Sequence, residues 1–116
     1  MNTDAPTAST HCVVQTTLAS EAEAAALARQ IVQARLGACV QVQPIRSFYV
    51  WQEHAHEEPE WLLSIKTRSS LYPALQAWLL QHHPYETPEI VQLPITAGSA
   101  AYLAWVDANT DRKSVV

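Results

Sequence analysis

The stretch ACVQVQPIRSFYVWQEHAHEEPEWLLSIKTR, residues 38–68, decides the fold. Its first half alternates Val40 and Val42 with Gln41 and Gln43, the period-two pattern of a half-buried strand. β character resumes through Phe48, Tyr49, Val50 and Trp51. Pro44 cannot donate a ladder hydrogen bond, so a bulge, a bend or a sheet edge is expected there. The polar run EHAHEEPE reads as a solvated turn region. WLLSIKTR reads as the returning strand, with Trp61, Leu63 and Ile65 on one face. Two strands in succession with no helix between them form a long hairpin at the centre of the chain.

On the N-terminal side, CVVQTT (residues 12–17) is a short β-rich run. Ser20 follows as an N-cap, with Glu23 three residues later where a capping box places it. Ala24, Ala28, Ile31 and Val32 recur at helical spacing, and Gly37 is expected to end that helix, residues 21–36, in the left-handed conformation. On the C-terminal side, Ser69 or Ser70 caps a second helix with Pro73 in its first turn. Leu71, Leu75, Trp78, Leu79 and His82 share one face of it, which places His82 partly in the core. Pro84 disfavours helical geometry at His83 and ends the helix. PEIVQLPI supplies a fourth strand, residues 89–95, and SAAYLAWVDAN a last helix with Tyr102, Leu103 and Val106 inward.

The order is β-α-β-β-α-β plus a C-terminal helix. That is an α+β, ferredoxin-like sandwich, an antiparallel sheet with two helices on one face. With 116 residues, one domain is expected over 11–109, between a polar, disordered lead at 1–10 and a polar tail at 110–116. The lead lacks a secretory signal's basic start and apolar stretch, and Cys12 and Cys39 make no disulfide framework, so a cytoplasmic protein with reduced thiols is expected. A formal charge of −4 argues against nucleic acid or an anionic membrane as partner. No apolar run approaches the roughly 20 residues of a membrane-spanning helix. Four tryptophans and four tyrosines exceed what one small core hides, so some rings are expected at a subunit interface.

Three clusters carry potential chemistry. His82 and His83 sit at a proline-broken helix end, where two imidazoles can turn toward one ion and Cys12 or Cys39 could add a thiolate. The plain alternative is a helix terminus that favours cationic histidine by its dipole. His54 and His56, beside Glu57 and Glu58, would share a face in a strand, but a flexible hairpin tip would leave them unorganised. Tyr85, Glu86 and Glu89 with a histidine could form an acid/base set, or simply a hydrogen-bonded corner. No catalytic residue is assigned. With only Gly37 and Gly98, a glycine-rich nucleotide loop is excluded. An RNA-binding ferredoxin-like module would need basic and aromatic residues on the sheet face, which an acidic chain does not offer.

RLGACVQVQPIRSFYVWQ, LLSIKT, HHPYETPEIVQLPI and YLAWV together resemble the divalent-cation tolerance family, CutA. The resemblance spans nearly the whole chain from Cys12 to Asn109. It implies a fold similar to the PII signalling proteins and a tight homotrimer joined through sheet edges. It implies copper or another divalent cation as ligand and no organic cofactor, with a metal set of His82, His83 and Cys39. The family's metal-ligating cysteine of the first strand is replaced here by Thr16, a poor ligand for a soft metal, and its hairpin glycine by Glu53. Trp51, Tyr85, Glu86 and Glu89 are the expected lining of a pocket at the subunit boundary. A trimeric protein that responds to metal ions is the leading expectation. A small enzyme using a His/Glu pair in that pocket is the alternative.

Overall fold

The computed structural model describes residues 9–111. The expected lead and tail lie outside these residues except at their inner ends. In chain order come β1 (His11–Leu18), α1 (Glu21–Gln33), β2 (Cys39–Trp51), β3 (His54–Arg68), a 3-10 turn (Ser69–Leu71), α2 (Tyr72–His82), β4 (Val91–Ile95) and α3 (Ala100–Asn109). The four strands form one sheet in the order β2-β3-β1-β4, antiparallel throughout. That is the ferredoxin-like arrangement expected from the sequence.

Alternation assigns the two faces. Cys12, Val14 and Leu18 of β1 and Leu63 and Ile65 of β3 join Ala24, Leu27 and Ile31 of α1 and Leu75 and Leu79 of α2 in one buried core. The opposite face carries His11, Cys39 and Lys66, and α3 packs there. His11 Nε2 lies 2.8 Å from Asp107 Oδ1, and Arg68 Nε donates to Thr110 Oγ1 at 2.9 Å. Thr110 is fully buried, so the body extends one residue past the expected boundary at 109.

Ser20 caps α1 as expected, its Oγ accepting from the Glu23 N–H at 3.1 Å. The other end differs. α1 stops at Gln33, and Arg35, not Gly37, takes the left-handed conformation at φ 58. The Arg35 N–H bonds to the Val32 carbonyl and the Leu36 N–H to the Ile31 carbonyl, a complete Schellman motif closed by buried Leu36 on Ile31. Gly37 has a different role. A Cβ there would stand 2.6 Å from Ile65 Cγ2, so the chain can cross the sheet closely only with glycine.

The central hairpin is longer than the sequence indicates. β3 begins at His54 and EHAHEEPE is mostly strand, not turn. The connection is Gln52 and Glu53 alone, at φ 50 and 67, the two positive values that a two-residue primed turn needs. Pairing runs without a slip from Cys39↔Lys66 to Trp51↔His54, so Pro44 makes no bulge and lies in an edge strand. β1 pairs only with Trp61–Arg68 of β3. Beyond Trp61 the hairpin is therefore a two-stranded ribbon. In it, Arg46 pairs with Glu57 at 2.6 Å, Tyr49 stacks on His56, and Phe48 and Val50 are 68% and 73% exposed.

Three smaller differences follow. Neither Ser69 nor Ser70 caps α2 with its side chain; the 3-10 turn leads into it instead. β4 begins at Val91, not residue 89. In α3 only Val106 is fully buried, while Tyr102 is exposed and stacks on Trp105.

Candidate functional site

The segment from α2 to β4 is shaped by Pro84. It ends α2 at His82 and leaves His83 extended at φ −79, ψ 136. This break sends the two histidines into opposite environments, the reverse of the expected burial. His82 is exposed and lies flat on Trp78, ring centroids 4.0 Å apart. Its Nδ1–H donates to the Trp78 carbonyl at 2.8 Å, so the Nε2 nitrogen keeps its lone pair. His83 is the buried one, 8% exposed.

Both nitrogens of the His83 ring are engaged. Nε2–H donates to the Thr17 carbonyl at 2.9 Å, and Nδ1 accepts the Tyr85 N–H at 3.1 Å. Those two bonds fix the neutral Nε2–H tautomer. Burial pushes the ring's pKa below its ordinary value, against smaller opposing effects of the Thr17 bond and of Glu23 and Glu60. The ring works as a cross-link between the end of β1 and the loop after α2, and its lone pair is already spent.

Tyr85 and Glu60 form the second layer. The Tyr85 hydroxyl donates to Glu60 Oε2 at 2.7 Å, and the ring tilts against His83 with centroids 4.8 Å apart. Burial, then the hydrogen bond to Glu60, raises the Tyr85 hydroxyl's pKa. Partial burial, then the charge of Glu60, pushes Glu89 above its ordinary value. Glu60 thus organises this corner. Sequence reasoning missed it because it sits inside the polar run taken for a turn; the sole signal was its place two residues before Leu62 on one face of a strand.

The other expected partners stand elsewhere. Cys39 pairs with Lys66, whereas Thr17, which holds His83, pairs with Leu62, four residues farther along β3 or roughly 13 Å. Cys39 instead lies against Tyr102 of α3. Trp51 is at the ribbon tip, opposite His54, and six residues of strand, roughly 20 Å, separate that point from Glu60. Glu86 is exposed on the loop. Within one chain, then, Tyr85 bonds to Glu60, and Glu89 lies near enough to feel the Glu60 charge, while Trp51 and Cys39 do not join them. Within one chain His82, His83 and Cys39 do not converge on a common point. Among the described residues no group of three or more His, Cys, Asp or Glu side chains is arranged to hold a metal. Within one chain His83 bonds to backbone groups and Glu60 to a tyrosine, so these two residues form no His/Glu dyad.

The family model described as CutA1 divalent ion tolerance protein matches residues 12–109. The chain is 42% identical over 99 residues to the divalent-cation tolerance protein CutA of Thermus thermophilus, covering 84% of this chain and 96% of that one. It is also 42% identical over 99 residues to the mouse protein CutA, covering 84% of this chain but only 56% of the mouse protein, so it spans about half that relative's length. A solved structure described as the periplasmic divalent cation tolerance protein CutA from Archaeoglobus fulgidus superposes with a TM-score of 0.85 at 31% identity, over 87% of this chain and 99% of the other.

Proposed function

The chain belongs to the CutA1 divalent ion tolerance family, and from that premise we propose that it acts in tolerance of or response to divalent metal ions, copper foremost, as an assembly of three copies. One observation carries the reading: the match to the family runs through the whole folded body, residues 12–109, the helix-end segment included. In this reading the ion is held at a subunit boundary. His82 Nε2 is the donor that one chain leaves available there. Cys39 and the ribbon tip with Trp51, which stand at opposite ends of β2, approach it from two different neighbouring copies, next to Tyr85, Glu86 and Glu89. His83 serves by fixing the loop rather than by ligation, unless the Tyr85 N–H bond is given up. No organic cofactor is needed. The protein works in the cytoplasm in this reading, supported by two free cysteines on opposite faces of the sheet, which suit a reducing compartment.

Two measurements test this. Light scattering on the full chain is expected to give three times the chain mass, and a monomer overturns the assembly. Calorimetry with Cu²⁺ and Zn²⁺ is expected to lose heat in H82A/H83A and in C39A. Unchanged heats in both variants overturn the helix-end metal site.

A further inference from the structure

We propose that His54 and His56 form a second, separate clip for a late first-row transition ion on the outer ribbon. The sequence alone argued against this pair, because a flexible tip gives donors no fixed geometry. The structure removes that objection. His54, Ala55 and His56 are consecutive residues of β3, held in register by Trp51↔His54, Val50↔Ala55 and Tyr49↔His56. Strand alternation sends both imidazoles to one face, and two residues of strand separate their Cα atoms by roughly 6.6 Å. That spacing lets two imidazole nitrogens reach one ion between them. The two-residue turn at Gln52 and Glu53 leaves no slack next to His54.

The surroundings favour a cation. Tyr49 stacks on His56 with centroids 5.2 Å apart and planes 16° from parallel, which limits the rotation of that ring. Glu58 is the next residue on the same face, its Oε1 accepting the Tyr49 hydroxyl at 2.8 Å, and it adds negative charge beside the pair. His54 is exposed and His56 half-buried, so an ion reaches both from solvent. Two neutral imidazoles select copper(II), nickel(II) or zinc(II), with copper tightest, over magnesium or calcium, which prefer oxygen. Water completes the coordination. Within one chain the clip lies on the ribbon, away from His82 and Cys39, and its two imidazoles require neither those donors nor self-association. In the assembly proposed above the ribbon tip adjoins the helix-end site of another copy, and variants at each histidine pair tell the two metal sites apart.

Calorimetry with Cu²⁺ on the full chain is the test. The double variant H54A/H56A is expected to lose one Cu²⁺ per chain, or at least tenfold in the affinity of that site. H54A/A55H keeps two histidines but puts them on opposite faces, and is expected to show the same loss. His54 and Ala55 are exposed and His56 is half-buried, and circular dichroism checks that the fold is kept. In the wild type, substoichiometric Cu²⁺ is expected to broaden the His54 and His56 ring protons in NMR spectra. Mg²⁺ is expected to give no heat that the double variant lacks. Undiminished Cu²⁺ binding in either variant overturns the clip, as does equal binding of Mg²⁺. If H82A/H83A abolishes all Cu²⁺ binding while H54A/H56A changes nothing, the clip fails and the helix-end site survives; the reverse pattern keeps the clip alone.

Discussion

Thr16 carries a fully buried hydroxyl with no hydrogen-bond partner among the described residues, on the core face opposite Leu63. A buried hydroxyl without a partner costs its desolvation, and a methyl group in the same space does not. Thr16→Val is therefore expected to stabilise the protein by about 1 kcal/mol, read as a higher urea midpoint at fixed protein concentration; a lower midpoint would mean that the hydroxyl is satisfied. His83 makes an opposite kind of statement. Its Nδ1 accepts an N–H, so a proton there would set two donors against each other. With the folded-state pKa below the ordinary 6.5, the unfolded chain takes up the proton first as pH falls. The neutral ring's contribution is complete above about 6.5 and is lost as pH drops from there toward the depressed value. Melting temperature is expected to fall over that window, and less so in His83→Gln. Glu89, raised above its ordinary value, acts in the other direction, favouring the fold at low pH and losing that contribution as pH climbs through its raised pKa.

At the scale of the element, the hairpin turn holds two non-glycine residues in the left-handed region, at a cost of roughly 1–2 kcal/mol each. Glu53→Gly should recover about 1 kcal/mol, visible as a higher melting temperature with the ribbon unchanged; a drop would show that the Glu53 side chain holds the turn by a contact. This element also shows where the sequence was legible. β1, α1, α2 and the inner half of the hairpin each bury one face, and burial writes its period into the sequence. The outer ribbon has water on both faces, so His54 to Glu60 keep no hydrophobic alternation and a strand was mistaken for a loop. The same cause hid Glu60, and with it the hydrogen-bond partner of Tyr85. The end of α1 misled for another reason: Gly37 and Arg35 are both compatible with a left-handed cap by position, and only the close approach of Ile65 explains why glycine is spent two residues later. At α2, sequence spacing carried His82 onto the buried face, but the break at Pro84 turns the chain and buries His83 instead.

For the molecule as a whole, the radius of gyration is 15.7 Å. A compact chain of this length would have about 13 Å. The ribbon contributes to that excess: it projects from the body and leaves Phe48, Val50 and Trp51 outside any core. Among the described residues one edge of β2 is unpaired along all thirteen of its positions, and β4 bounds the opposite edge of the sheet. Unpaired edges and bare rings on one chain are the features that self-association removes together. The devices against indiscriminate pairing are modest, Pro44 on β2 and Pro94 on β4, neither able to donate a ladder bond. Burying Phe48 in a neighbouring copy would contribute about 2 kcal/mol per ring. A carboxylate in its place would have to be desolvated in the same contact, which is worse than losing the ring. Phe48→Glu is therefore expected to shift the proposed assembly toward monomer in sedimentation, to lower the melting temperature and to make it rise with protein concentration. The far-ultraviolet spectrum of the dissociated chain should persist, because the core of Val14, Ile31, Leu63, Ile65, Leu75 and Leu79 lies within one copy. If the variant sediments and melts as the wild type does, the ribbon is not where the copies meet, and Phe48 is exposed in the assembly as it is in the single chain.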